Sequence, residues 1–157
     1  MPKRHPSLVP LSREHHLALL LAFRLRQGLP RTQKPADSPQ EQAEDTIRFF
    51  HNNLARHFRA EEEALFPLIR KTLPQADLLL DTLIAEHAEM RTQVGALEPT
   101  ATDAQTLNAQ LKAFSEVLER HVRCEERELF PLFEAHLPED EAERLGTAIA
   151  QFIGEGR

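Results

Sequence analysis

The chain has 157 residues, which fits one domain, and its net charge of −6 argues against the concentrated basic face that nucleic-acid binding requires. The absence of Tyr excludes a tyrosyl-radical enzyme, the five Gly residues include no nucleotide-binding fingerprint, and one cysteine, Cys124, forms no intrachain disulfide. No secretory signal is visible and the longest apolar run, residues 17–23, is shorter than the roughly 20 residues of a membrane span, so we expect a cytoplasmic protein without nucleic-acid or membrane partners.

The first predicted helix begins at Ser12, as its N-cap, and ends where Gly28 and Pro30 interrupt the apolar spacing. Its apolar run at residues 17–23 is interpreted as the buried side of the helix. The Pro-containing segment 30–38 is then a connector to the next helix.

The second helix carries the strongest start signal in the chain. Ser38 is an N-cap, Pro39 occupies the first helical position, and Glu41 completes a capping box three residues after the cap. We expect this helix to continue to about Leu73. A third helix is predicted over residues 75–97.

The fourth and fifth helices complete the predicted set. Thr102 and Gln105 form a second capping box, from which the fourth helix is predicted to run to about His136. A short amphipathic helix follows at about residues 138–154. Its apolar face either caps the rest of the molecule or joins a second subunit, so both a monomer and a homodimer remain open. That face consists of Leu145, Ile149 and Phe152.

An internal repeat organises the chain. Residues 50–68 (FHNNLARHFRAEEEALFPL) and 114–132 (FSEVLERHVRCEERELFPL) align without gaps, and a weaker echo, Glu14-His15 and Glu86-His87, precedes each copy. Two stacked helical hairpins form an all-α, up-down-up-down four-helix bundle. We therefore expect residues 1–157 to be a single domain, with a bundle core at about 10–136 and the C-terminal helix outside it.

Each copy of the repeat places a His and a Glu four residues apart, as His57 with Glu61 and His121 with Glu125. Such residues lie one turn apart on the same helix face. Apolar residues continue each face in both directions, so both pairs are expected to point into the core. The continuing residues after the Glu are Leu65 and Leu68 in the first copy, and Leu129 and Leu132 in the second.

His15 and His87 also lie in apolar stripes, so four imidazoles and two carboxylates are predicted to meet inside the bundle. A buried carboxylate without a partner is costly, and a pair of divalent cations explains the whole set. Nitrogen and oxygen ligands without thiolates suit two ions of iron, manganese or zinc better than an iron–sulfur cluster. The ferritin-type motif Glu-x-x-His and the metalloprotease motif His-Glu-x-x-His are both absent.

The pattern resembles the hemerythrin-like family, named for a His-His-Glu cation-binding motif. The resemblance is carried by Glu14-His15-His16, Glu86-His87 and the two segments HFRAEEEALFP and HVRCEERELFP, and covers roughly residues 10–136. It implies a metal site in which imidazoles are terminal ligands and carboxylates are bridges. The implied ligands are His15, His57, His87 and His121, with Glu61 and Glu125 as the bridges.

The chain departs from the oxygen-carrying members of that family. Those members have a further His one turn from the third-helix ligand, where this chain has Leu83 and Arg91, and their last carboxylate matches Glu126 in position. The internal repeat favours Glu125 instead. One imidazole fewer leaves more open coordination positions, which favours binding, sensing or reduction of O2, peroxide or nitric oxide over O2 carriage. If the protein turns over a substrate, it is a di-iron oxidoreductase.

Other interpretations are open at this point. The bundle is alternatively an iron-handling protein, or a partner-binding module stabilised by metal, without catalysis. His16 is interpreted as a partly buried neighbour of the site, although ligation is also possible. The remaining acidic residues next to the motifs are interpreted as a solvated face paired with Arg59 and Arg123, with hydrogen bonding to the ligand imidazoles as the less favoured alternative. Those residues are Glu62, Glu63, Glu126 and Glu128.

Overall fold

In a computed structural model, the chain is described at residues 3–27, 38–100 and 103–154, and these residues form five helices and no strand. Four long helices make the predicted all-α bundle and a shorter one packs on it. Within the described ranges, no helix combines the length and apolarity that a membrane span requires.

The first helix, α1, begins earlier than predicted. A 3-10 turn at Pro6–Leu8 leads directly into α1, Val9–Gln27, so Ser12 lies inside the helix and is not its N-cap. The N–H of Val9 donates to the carbonyl of Pro6. In a regular α-helix that carbonyl would accept from residue 10, which is a proline and has no N–H. The predicted stop at Gly28 and Pro30, and nearly all of the connector, lie outside the described residues.

The second helix, α2, begins as predicted. The hydroxyl of Ser38 accepts a hydrogen bond from the N–H of Glu41, whose carboxylate accepts from the N–H of Ser38, and Pro39 occupies the first turn. The helix continues through residue 72. Its successive segments are α-helical at Pro39–Phe49, π-helical at Phe50–Leu54, α-helical at Ala55–Ala60, π-helical at Glu61–Leu65 and α-helical at Phe66–Thr72.

The third and fourth helices agree with the prediction except at their ends. A 3-10 turn leads into α3, Asp77–Gly95. The fourth helix, α4, consists of an α-helical segment Ala104–Cys124, a π-helical turn Glu125–Leu129 and a last segment Phe130–Glu134. Asp103, not the predicted Thr102, caps α4 by accepting from the N–H of the residue three positions on, and Thr102 lies outside the described residues.

The two copies of the repeat share a π-helical turn that starts at the inward Glu of each copy, Glu61 or Glu125. In both turns, the N–H of the following residue, Phe66 or Phe130, bonds to the carbonyl five residues earlier. Because such a turn holds one extra residue, it rotates the rest of the helix relative to an unbroken α-helix.

This rotation corrects the predicted core face. Ile69 and Phe133 are fully buried, whereas Leu68 and Leu132, which the unbroken spacing placed in the core, are only partly buried. Each buried position is therefore eight residues after the Glu of its motif, and not seven. The sequence pattern could not show this, because it assumes a uniform helical period.

The buried apolar residues form two clusters separated by a polar layer. α1 passes from one cluster, at Leu11, to the other, at Ala18, with His15 between them. α3 runs in the same order, while α2 and α4 run in the reverse order. This alternation confirms the up-down-up-down arrangement and places the histidines of all four helices at one depth.

The last helix, α5 (Glu139–Gly154), covers its own bundle. It packs on the Pro6–Leu8 turn and on the middle of α2, so its apolar face caps the bundle rather than remaining free for a second subunit. The turn lies close to Gly146, where a Cβ would be in van der Waals contact with the Cα of Ser7, at 3.4 Å. The buried face differs from the prediction in using Ile153, with Phe152 only partly buried. Its members are Ala142, Leu145, Ile149 and Ile153.

The interpretation of residues 17–23 as one buried side was wrong in part. Leu17, Leu20 and Phe23 are 44–46% exposed, while Ala18 and Leu21 are buried. Seven consecutive apolar residues cover all sides of a helix, so only about half of them reach the core.

Candidate metal centre

The polar layer brings together all six side chains that the sequence singled out. The four-residue spacing within the two repeats places a His and a Glu of the same helix side by side, as expected. None of the six is more than 3% exposed. They are His15 from α1, His57 and Glu61 from α2, His87 from α3, and His121 and Glu125 from α4.

A first group of donor atoms comes from His15, His57, Glu61 and Glu125, all within 4.8 Å of one another. The Nε2 atoms of His15 and His57 are 3.2 Å apart. Glu61 Oε2 lies 3.4 Å from the Nε2 of His57, and Glu125 Oε1 lies 3.2 Å from the Nε2 of His15. Two imidazoles and two carboxylates thus converge on one point.

A second group comes from Glu61, His87 and His121. The Nε2 atoms of the two histidines are 3.1 Å apart, and Glu61 Oε1 is 3.1 Å from that of His87. Glu125 Oε1 is also 3.1 Å from the Nε2 of His121. The two oxygens of Glu61 therefore face different groups, while one oxygen of Glu125 lies between imidazoles of both.

In the part of the chain that the structure describes, three of the four oxygens of the two inner carboxylates lack a hydrogen bond, although imidazoles lie close to them. Glu61 Oε2 and both oxygens of Glu125 are buried and receive no hydrogen bond of acceptable geometry among the described residues. Buried carboxylate oxygens are normally hydrogen-bonded, and leaving an ionised one unsatisfied costs several kcal/mol. Cations between the groups would satisfy these oxygens, and the nitrogen and oxygen donors fit iron, manganese or zinc.

The electrostatics of the metal-free layer favour the protonated forms of His57 and His121. Burial lowers the pKa of His57, but the carboxylates of Glu61 and Glu14 outweigh burial and raise the pKa to about 10. The pKa of His121 is likewise well above its ordinary value, because Glu125 outweighs the effect of burial. Burial raises the pKa of Glu61, yet the charge on His57 holds it well below the ordinary value. A cation that enters must therefore displace protons.

Every one of the four imidazoles also has a carboxylate behind it. An ionised carboxylate only accepts hydrogen bonds, so each Nδ1–H donates outward while Nε2 faces the centre. The pKa of Glu126 is held at about 2, because His15 and Ser12 together outweigh the effect of burial. The four Nδ1-to-oxygen distances are 3.0 Å for His57 and Glu14, 2.6 Å for His87 and Glu62, 2.9 Å for His121 and Glu86, and 2.6 Å for His15 and Glu126.

The outer carboxylates correct the expectation of a solvated acidic face. Glu62 and Glu126 bind imidazoles instead, whereas Glu63 pairs with Arg59 as expected. Arg123 pairs with Glu119. The less favoured alternative, a hydrogen bond to a ligand imidazole, is therefore the one that Glu62 and Glu126 adopt, because each reaches an imidazole of a neighbouring helix.

An arginine in turn holds each outer carboxylate. Arg56 and Arg120, at equivalent positions of the repeat, bind Glu14 at 3.0 Å and Glu86 at 2.8 Å. The sequence repeat could have indicated these hydrogen-bonded Arg–Glu–His series, since it matches Arg56 with Arg120 and Glu14-His15 with Glu86-His87. The other two pairs are Arg91 with Glu62 at 3.1 Å and Arg4 with Glu126 at 3.0 Å.

Aromatic rings support the imidazoles unequally. His87 is stacked between Phe58, with ring centroids 3.8 Å apart, and Phe66, at 5.8 Å. His15 stacks on Phe130 at 5.5 Å, the repeat equivalent of Phe66. The position equivalent to Phe58 is Val122, so the second copy carries no ring there.

The remaining candidates lie outside the centre. His16 is exposed on the outer face of α1, which corrects the expectation that it is partly buried beside the site. Among the described residues, no fifth imidazole joins either donor group. Glu126 lies on the outer side of the His15 ring, and Glu125 lies on its inner side.

Comparisons with known proteins agree with this geometry. The model of a protein family described as the hemerythrin HHE cation binding domain matches residues 8–133. A curated relative, a DNA nickase from Nostoc sp. (strain PCC 7120 / SAG 25.82 / UTEX 2576), is 26% identical over 97 residues. The match covers 62% of this chain and 27% of the nickase, so it spans about a quarter of that protein. No solved structure matches the chain.

Proposed function

The chain belongs to the hemerythrin HHE cation-binding domain family, and we propose that it is a non-haem di-iron protein that binds O2, peroxide or nitric oxide. In this proposal it senses or reduces that ligand. The observation that carries the proposal is Glu61, a fully buried carboxylate whose two oxygens face two different groups of imidazoles. A carboxylate so placed is suited to bridge two cations.

The ligand set supports iron. Imidazole nitrogens and carboxylate oxygens suit iron in non-haem sites, and the described donor groups include no thiolate. His15, His57 and Glu125 would hold one ion, His87 and His121 the other, and Glu61 would contact both. Manganese and zinc accept the same ligand types, so the metal must be measured.

The small size of the proposed ligand follows from the surroundings of the centre. The donor residues are at most 3% exposed, which leaves no room for a large substrate to approach. Leu83 and Arg91 stand one turn from His87, where a further imidazole would otherwise fill a coordination position. Ferrous ions held by these residues would supply electrons and open coordination positions to a small oxidising ligand, and the buried surroundings would exclude bulk water.

The first test is the metal content of protein purified without chelators, together with its absorption spectrum after exposure to air. We expect about two irons per chain and a near-ultraviolet charge-transfer band. His57→Ala and Glu61→Ala are expected to lose metal and the band. Glu63→Ala is the matched control, because Glu63 lies in the same turn as Glu61 but pairs with Arg59 at the surface.

The alternatives give different results. Chains that bind no metal after reconstitution with ferrous, manganous and zinc ions would contradict the proposal. Iron that is bound, but whose spectrum does not respond to O2, nitric oxide or hydrogen peroxide, would favour an iron-handling protein, especially if a chelator removes the iron rapidly. Turnover of peroxide or nitric oxide would identify an oxidoreductase.

A further inference from the structure

Four buried or half-buried glutamates surround the donor groups without facing them. Glu14 and Glu86 are 6% and 7% exposed, so their burial requires an explanation as much as that of the inner carboxylates. Each of the four accepts a hydrogen bond from the Nδ1 of one imidazole, on the side away from the centre. The set is Glu14, Glu62, Glu86 and Glu126.

We propose that these four glutamates are positioning residues, which keep the proton of each imidazole on Nδ1 and aim its Nε2 at the metal. This inference rests on the proposed metal binding. A neutral imidazole has one N–H, and a ring that carries it on Nε2 cannot ligate through that atom. A carboxylate at Nδ1 favours the binding tautomer and makes Nε2 a stronger ligand.

The carboxylates are themselves fixed in place. Glu14 accepts from His57 with Oε1 and from Arg56 with Oε2. Rotating this carboxylate would break both hydrogen bonds, so Arg56 holds it in the orientation that the imidazole needs.

The second hairpin repeats this arrangement with different residues. Glu86 accepts from His121 with Oε1 and from Arg120 with Oε2. The Arg and Glu of the two hairpins come from separate helices and meet at equivalent places in both. Chance surface ion pairs do not explain why all four imidazoles have an outer carboxylate at Nδ1.

The remaining two carboxylates, Glu62 and Glu126, occupy equivalent positions of the repeat, directly after the inner Glu of each copy. Glu126 accepts from His15 and Ser12 with Oε2, and from Arg4 with Oε1. Glu62 accepts from both His87 and Arg91 with Oε2. Each imidazole therefore has its own anchored acceptor.

The test measures metal affinity in Glu14→Ala and Glu86→Ala, with Glu63→Ala as the control. Loss of an acceptor of this kind is expected to weaken metal binding about 10–100-fold. Glu14→Gln and Glu86→Gln retain an oxygen that accepts from Nδ1–H, and they are expected to recover part of that loss. The Gln variants also preserve packing if an Ala variant fails to fold.

A second readout separates positioning from a structural role. In protein loaded with diamagnetic Zn²⁺, nitrogen NMR reports which ring nitrogen carries the proton and how fast that proton exchanges. In the wild-type protein we expect slowly exchanging Nδ1–H signals from His57 and His121. The signal of His57 should exchange rapidly in Glu14→Ala, and that of His121 in Glu86→Ala.

Two results overturn the inference while leaving the proposed function intact. One is that the Ala variants bind metal as tightly as the wild type. The other is that they bind more weakly only in proportion to a lower stability of the metal-free protein, with unchanged Nδ1–H signals. A wild-type protein that binds no metal would instead overturn the proposed function, and the inference with it.

Discussion

The first hairpin, α1 and α2, and the second, α3 and α4, place equivalent groups around the centre but support them differently. Each contributes two imidazoles and one inner carboxylate, and each outer glutamate is held by an arginine. The neighbours differ. Phe58 stacks on His87, whereas its repeat equivalent is Val122, and Arg56 is 15% exposed where Arg120 is 59% exposed.

This difference separates what the centre requires from what the fold requires. The carboxylates that accept hydrogen bonds from the imidazole nitrogens recur in both hairpins. This is expected if a pair of metal ions needs equivalent ligands. Of the rings that stack on the imidazoles, Phe66 recurs as Phe130, whereas Phe58 does not recur. The predictions below test whether this division between repeated polar groups and unrepeated packing is correct.

The largest expected effect is at the inner carboxylates. Glu61 belongs to both donor groups, since its two oxygens face different imidazoles, so Glu61→Ala is expected to remove metal from both positions. Glu125 belongs to the first group, and its single inward oxygen lies between His15 and His121. Glu125→Ala is therefore expected to retain more metal than Glu61→Ala. Metal content per chain measures this, and equal losses would mean that the two carboxylates act alike.

The pH dependence tests whether equivalent histidines of the two hairpins behave alike. His57 has a pKa of about 10 and that of His121 is well above 6.5, so at neutral pH both release a proton when a cation binds. Metal affinity is expected to rise about tenfold per pH unit for each displaced proton between roughly pH 7 and 9. Calorimetry in buffers of different ionisation enthalpy counts the protons. His16→Ala, an exposed imidazole, is the control and should not change the count.

The metal-free protein is expected to show the opposite trend. A histidine whose pKa is raised by folding stabilises the protein below its ordinary pKa of 6.5, and this contribution is lost as the pH rises through the folded value, about 10 for His57. Metal-free protein should therefore lose stability from about pH 6.5 to 10, while metal binding strengthens. Parallel trends in the two forms would contradict the assigned charge states.

Much of this arrangement could be predicted from the sequence, because the same pattern occurs in two copies and each copy supports the interpretation of the other. The four-residue spacing of His57 and Glu61, matched by the second copy, was enough to place both pairs inside the bundle. The capping box at Ser38 fixed the start of α2. Local signals of these kinds depend only on neighbouring residues, so the tertiary structure does not override them.

The rest depends on geometry that a uniform helix does not have. The π-helical turn Glu61–Leu65 moves the core position from Leu68 to Ile69. The function of Glu62 depends on the place of His87 in another helix, which spacing within α2 cannot give. The start of α1 was missed because a 3-10 turn compensates for the missing N–H of Pro10.

A packing swap tests whether the unrepeated residues are fitted to their own hairpin. Phe58→Val removes the ring that stacks on His87 and leaves a cavity in the core, with an expected loss of about 2–4 kcal/mol in the free energy of unfolding. Val122→Phe instead gives the second hairpin the ring that the first one has. It inserts this ring into a filled core, with an expected loss of about 1–3 kcal/mol in the free energy of unfolding. Denaturant titration of the metal-free protein measures both. If either swap is neutral, the difference between the hairpins does not reflect packing.

The smallest expected difference lies between the two equivalent arginines. Arg56→Ala leaves Glu14 buried beside His57 with one partner fewer, and we expect it to lower the free energy of unfolding by about 1–3 kcal/mol. Arg120→Ala removes a more exposed partner of Glu86, whose place water can take, so the expected loss is below about 1 kcal/mol. Urea denaturation of the metal-free protein measures both, and Arg56→Lys controls for the loss of the aliphatic part of the side chain. Equal losses would show that the different burial of Arg56 and Arg120 does not change how much each contributes to stability. A larger loss for Arg56 would show that the two hairpins, although equivalent at the imidazoles, contribute unequally to the stability of the fold.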